Sequence, residues 1–239
     1  IHAHHCVTNG ETPGVGVGMG GDAVFLADSR IDENDYFSVY ADGSRVAMTG
    51  NYIDQIRVAT SFIGDPEDSR NVFISNNHIN ASRQDPTCGI RWHSRRGVII
   101  DNIISAGLSR ISLGIDTGEG VTSVDAGLGY VLIERNLMRT SVASDPAAHR
   151  TGNDGFTDCG FSTHDNDHVV VRNNLMFGMM RAFCVERDQG SGSRDISLYN
   201  NSIYKGTHAA YNHDEGDLIN IANNVSGLRV ANNLIYVDN

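Results

Sequence analysis

Short runs that alternate apolar residues with any residue, and then close on a polar turn, recur along the chain. Val24-Phe25-Leu26-Ala27-Asp28-Ser29 is followed by Val46-Ala47-Met48-Thr49-Gly50-Asn51 and Val72-Phe73-Ile74-Ser75-Asn76-Asn77. Next come the shorter Val98-Ile99-Ile100-Asp101-Asn102, then Val131-Leu132-Ile133-Glu134-Arg135-Asn136 and Val169-Val170-Val171-Arg172-Asn173-Asn174. Ile196-Ser197-Leu198-Tyr199-Asn200-Asn201 and Leu228-Arg229-Val230-Ala231-Asn232-Asn233 complete eight rows. Period-two alternation rich in Val and Ile predicts strands rather than helices. A second apolar pair often follows the turn at once, as in His78-Ile79, Leu137-Met138, Leu175-Met176, Ser202-Ile203 and Leu234-Ile235. A further strand precedes most rows, read at Phe37–Tyr40, Ile90–His93, Ile111–Ile115, Phe183–Glu186 and Ala209–Asn212.

The rows end at 29, 51, 77, 102, 136, 174, 201 and 233. Steps in the twenties with a few longer ones are the mark of a solenoid that carries insertions. The two longest steps place inserted loops at 117–130 and 140–158. The pattern predicts an all-β fold: one domain over 1–239, a single-stranded right-handed parallel β-helix of about eight coils. At about 4.8 Å per coil, that is a rod of roughly 40 Å. Asn suits the turn for two reasons. It tolerates the left-handed backbone region, and its amide can bond to the amide one coil away, forming a ladder.

These Val-x-Ile-x-x-Asn and Asn-Asn rows resemble the pectin-lyase-like superfamily of right-handed β-helix proteins over roughly residues 20–239. The resemblance implies a long polysaccharide lying along the rod. Lyases, hydrolases, adhesins and tailspikes share this architecture, so fold alone leaves the activity open. Asn153-Asp154-Gly155-Phe156-Thr157-Asp158 is similar to the Asn-Thr-Asp motif of polygalacturonases. The other motifs of that family are absent, so its activity is not carried over.

Composition narrows the partners. There are 29 acidic residues against 18 basic ones, with no basic run, which argues against nucleic acid. No apolar segment is long enough to span a membrane as a helix. Lys205 is the only lysine, so a mechanism that needs lysine has one candidate. The chain opens at Ile1 inside patterned sequence, which reads as a processed protein or an excised part of a longer one. The expected setting is extracellular or cell-surface, as a monomer or homotrimer.

Cys6, Cys88, Cys159 and Cys184 match no zinc or redox spacing. Cys159 and Cys184 are about one coil apart, as stacked neighbours or as two buried thiols. His2, His4, His5 and Cys6 form a dense cluster, read either as a metal site or as a frayed terminus, and no metal ligand is assigned. Calcium is the one cofactor considered, through Asp154, Asp158, Asp165 and Asp167, although no regular loop spacing supports it.

Alternation then sorts the faces. With Ile90, Trp92, Phe183 and Val185 inward, one outer strip carries Tyr40, Arg91, His93, Asp116, His164, Asp165, Glu186, Asp188, Tyr211 and His213. Phe73, Ile99, Leu132 and Val170 are the outward residues of the other strand set and are apolar. A strip mixing Arg, His, Tyr and carboxylates suits a sugar polymer. A lyase on a uronic acid polymer needs a cation for the carboxylate and a base for the adjacent proton. Arg91, His93, His164 and Tyr40 supply these types, with Arg95 and Arg96 in the adjacent turn. A hydrolase needs two carboxyls, for which Asp116, Asp165, Glu186 and Asp188 are available. The strip therefore assigns catalysis to His93, Arg91, Asp116, His164 and Glu186. Substrate binding falls to Tyr40, Arg95, Arg96, Asp165, Asp188, Tyr211 and His213. A non-catalytic carbohydrate-binding adhesin or tailspike module is the alternative.

Overall fold

The structure is a computed structural model. It describes residues 2–4, 7–9, 15–32, 37–53, 56–59, 70–81, 89–93, 95–106, 111–113, 129–140, 159–164, 166–178, 181–186, 193–205, 218–221 and 225–237. Among these residues every regular element is a strand, and every strand pair is parallel. No helix among them is long and apolar enough to cross a membrane.

The strands stack into three sheets, each strand pairing with the third one before and after it. Sheet A contains His2–His4, Val24–Ala27, Val46–Thr49, Arg70–Ser75, Arg95–Ile100, Gly129–Glu134, Asp167–Arg172, Arg194–Tyr199 and Arg229–Ala231. Sheet B contains Val7–Asn9, Arg30–Asp32, Tyr52–Ile53, His78–Ala81, Ile103–Ala106, Leu137–Thr140, Leu175–Phe177, Ser202–Lys205 and Leu234–Val237. Sheet C contains Val15–Gly20, Phe37–Asp42, Ile56–Ala59, Ile90–His93, Ile111–Leu113, Cys159–His164, Arg181–Glu186 and Ile219–Ile221. The eight rows are therefore strands of sheet A, and the apolar pairs after them are strands of sheet B. His2–His4 add one more strand to sheet A, with Ala3 opposite Leu26.

Like residues stack on like, which is why the pattern repeats. Leu26, Met48, Ile74, Ile99, Ile133, Val171 and Leu198 follow one another in register and are fully buried. Sheet B contributes Ile31, Ile53, Ile79, Ile104, Met138, Met176 and Ile203 to the same core. The core column next to Leu26 is Val24, Val46, Val72, Gly97, Val131, Val169 and Ile196. Gly97 interrupts this run of branched side chains. A Cβ there would collide with the Trp92 ring and the Val72 carbonyl oxygen. The indole occupies the space that a valine would fill.

Among the described residues the turn from sheet A to sheet B recurs from coil to coil, and it divides two tasks between adjacent residues. The first is left-handed: Asp28, Asn76, Asp101, Arg135, Asn173, Asn200 and Asn232 have φ between 47° and 57°, and Gly50 has φ 68°. The second is the ladder residue, Asn51, Asn77, Asn102, Asn136, Asn174, Asn201 or Asn233. Asn77 shows its bonding. Its Oδ1 accepts from the backbone N–H of Asn51 (3.0 Å) and from Asn51 Nδ2 (2.9 Å). Its Nδ2 donates to Met48 O and to Asn102 Oδ1, each at 3.0 Å. Ser29 begins the series, donating its N–H to Asn51 Oδ1 at 3.0 Å.

Several expectations are corrected. Ile99 faces the core, and Val98 takes the outward position opposite Phe73 and Leu132. The row is one residue short at its visible end, so alignment by its first valine slips it by one, and a slip by one exchanges the faces. The sheet C strand after Arg181–Glu186 is Ile219–Ile221, and Ala209–Asn212 lies outside the described residues. Gly129 and Tyr130, given to the first insertion, belong to a sheet A strand, and Thr140 to a sheet B strand. Cys159 stands opposite Arg181 and Cys184 opposite Ser162, so the two cysteines are not stacked neighbours. Cys184 is disulfide-bonded, which rules out a free buried thiol there.

Candidate functional site

Connection lengths single out sheet C. The A-to-B turn keeps one length, whereas every long connection enters or leaves sheet C. The two large insertions lie one on each side of it in sequence, after Ile111–Leu113 and before Cys159–His164. A face bordered by variable segments on a regular scaffold is where binding groups collect.

Register brings part of the expected strip together. Tyr40 lies opposite Arg57, Arg57 opposite Arg91, and Arg91 opposite Ser112. The four occupy one row across neighbouring strands, about 4.8 Å apart. Arg57 belongs to this row although sequence reasoning passed over it. The signal was present in the alternation Ile56-Arg57-Val58-Ala59, a strand too short to stand out beside the Asn rows. His93 closes its strand at the next row but one, and His164 pairs with Glu186 at the end of theirs. Further along the Tyr40 row stand Ser162 and Cys184. There Phe161, Ser162, Thr163 and Phe183, Cys184, Val185 are all fully buried. A sheet open on one side would alternate, so sheet C is covered on both faces at these strands. The Ser162 and Thr163 hydroxyls are buried without a hydrogen-bond partner. Asp116, Asp165, Asp188, Tyr211 and His213 lie outside the described residues. So do Asp154 and Asp158, considered for calcium. Asp167 is instead ion-paired with Arg194 at 2.6 Å. Among the described residues no group of three His, Cys, Asp or Glu side chains is placed to hold a metal.

Arg95 and Arg96 belong to sheet A and not to a turn. Arg96 places its guanidinium over the Tyr130 ring, 5.9 Å from the centroid. Tyr130 stacks on His168 (4.5 Å, 11° between planes), and His168 Nε2 is 3.4 Å from Asp195 Oδ2. Four residues further along the strands, Arg172 makes paired bonds to Glu134, Nε to Oε1 at 3.0 Å and Nη2 to Oε2 at 3.1 Å. Its Nη1 donates to the Tyr199 hydroxyl at 3.1 Å. Arg135 pairs with Asp101 in the same manner, at 2.8 Å for both bonds. Between the two lines lies an open trough of about 420 Å³ floored by Leu132 and Val170. Its outward residues had been read only as an apolar face.

The hydrogen bond from Arg172 holds the Glu134 carboxyl below its ordinary value of 4.5, helped by Asn173 and by the nearby positive charge. Because the folded value is the lower one, the stabilisation is whole above about pH 4.5 and fades as pH falls through the folded value. Glu134→Gln is therefore less stable than the wild type at neutral pH, and the gap closes on acidification. Melting curves from pH 7 down to pH 3 check this; a gap that stays constant would refute it.

Comparison of the chain with protein-family models, with curated proteins and with solved structures gives no match. The class is therefore defined by architecture: an all-β stack of parallel strands in three sheets, with an asparagine ladder at one corner.

Proposed function

We propose that the chain is a right-handed parallel β-helix of about eight regular coils, akin to the pectin-lyase-like superfamily, that cleaves an acidic polysaccharide by lyase chemistry. The observation that carries this reading is the Tyr40–Arg57–Arg91 row on sheet C. Two cations on neighbouring strands, Arg57 and Arg91, complement successive carboxylates of a polymer with one carboxylate per sugar. In the reaction, a base removes the proton beside the uronate carboxylate. The resulting electron pair forms the new C=C bond, and the glycosidic oxygen leaves and takes up a proton. Arginine stabilises the charge that builds on the carboxylate. Arg57 and Arg91 have this role, and Tyr40 and His93 are the proton-transfer candidates. Hydrolysis is less favoured on sheet A, because a general acid needs a raised pKa and Glu134 is shifted the other way. The disulfide at Cys184 supports an oxidising setting outside the cell.

On a panel of uronic acid polymers, ultraviolet absorbance of the unsaturated product is expected to rise for at least one substrate. Arg57→Ala and Arg91→Ala are each expected to lower the rate about a hundredfold. A folded protein inactive on the whole panel refutes the lyase reading. Glycan binding that persists without turnover would replace it with a binding module.

A further inference from the structure

We propose that the sheet A trough is a second carbohydrate site, separate from the sheet C row, that holds an uncharged sugar chain along the stack. This does not rest on the lyase reading, since it concerns another face.

Three observations lead to it. First, the floor and walls have the division of labour of a sugar site. Phe73, Val98, Leu132, Val170 and Ser197 follow in register along the floor. Phe73, Val98, Leu132 and Val170 offer an apolar surface to the C–H face of a pyranose, and Ser197 ends it with a hydroxyl. The walls offer the Tyr130 and Tyr199 hydroxyls, the His168 imidazole, the Asp195 carboxylate and the Arg172 guanidinium. Concave apolar sites with a few placed polar groups are how proteins hold small rings.

Second, the charges of the described wall residues balance in number. Glu134 is bonded to Arg172, Asp101 to Arg135, and Arg96 and Asp195 stand at opposite ends of one line. Among the described residues Arg96, Arg135 and Arg172 match Asp101, Glu134 and Asp195 in number, so the trough has no net positive charge for a uronate and charge complementarity selects a neutral chain. An extended peptide has no purchase either. The surface is the face of a nine-stranded sheet, whose backbone groups are spent within it.

Third, the wall is built at a conformational cost. Arg96, Tyr130 and His168 sit at φ 54°, 62° and 56°. Glycine or asparagine adopts this region far more readily than a bulky side chain. Asn71 and Asp195 hold the same column at the ends. Strained backbone kept under large side chains marks a position used for those side chains. The wall has one residue per strand, about 4.8 Å apart, so successive sugars of a linear chain each meet one wall residue.

Native gel electrophoresis with neutral polymers in the gel (β-glucan, galactomannan, xylan) tests this. The wild type is expected to be retarded in at least one. Val170→Lys, which puts a charge on the floor, and Tyr130→Gly are expected to weaken the retardation about tenfold. Tyr130 is 61% exposed and glycine suits its backbone, so the second variant keeps the test valid if the first fails to fold. Unaltered mobility in every neutral gel overturns the proposal. So does retardation only in acidic polymers, or retardation that both folded variants retain.

Discussion

Asn77→Ala is expected to destabilise the fold by about 3–5 kcal/mol, while Asn76→Gly leaves it within about 1 kcal/mol of the wild type. The two residues are neighbours in one dipeptide, yet they do different work. Asn77 is buried, and its amide serves both adjacent coils through Asn51, Met48 and Asn102. Alanine strands the Asn51 N–H and the Met48 carbonyl where water cannot replace the lost partner. Each such group costs about 1–3 kcal/mol. Asn76 is exposed at φ 54°, and glycine accepts that geometry freely. Thermal melts of the two variants check the contrast. Equal melting points would mean that the amide column follows the fold without holding it.

The second large effect belongs to Trp92 and Gly97. Trp92→Ala is expected to cost about 3–5 kcal/mol, because the largest side chain of the core leaves a cavity that its neighbours cannot close. Gly97→Ala is expected to cost about 1–3 kcal/mol through overpacking against the same ring. The two are coupled. With Leu in place of Trp92, the new methyl at 97 meets less, so the double variant is more stable than the sum of the singles by about 1 kcal/mol. The remaining clash with Val72 O keeps the rescue partial. The chain has one tryptophan, so intrinsic fluorescence follows unfolding in every variant that keeps it, and circular dichroism serves the rest. Strict additivity would show that the ring and the glycine do not share a space.

Much of the fold was legible because the signals are local. An Asn-Asn dipeptide after alternating Val and Ile needs no distant partner to be recognised. The visible errors have the same origin. Ile99 was misplaced because a shortened row gives no local cue to its register. His2–His4 gave no pattern, and only pairing with Phe25–Ala27 makes them a strand. Arg96 looked like a turn residue because basic residues cluster there. Its place in a sheet A strand follows from Arg70 and Val72 pairing with Arg95 and Gly97.

The repeat with which the chain announces itself thus determined the strand class, the corner and, in the full-length rows, the inward columns. These depend on residues a few positions apart, and alternation fixes them wherever one face is buried. Which side chains meet across coils was decided only by the tertiary structure. Arg172 reaches Glu134 across 38 residues, and Asn77 reaches Asn102 across 25. Stacking in register cancels the unequal lengths of the segments between strands. The sheet A face therefore consists of contacts between coils, the sheet C row of positions aligned by register, and the sequence carries both only through the pairing of its strands.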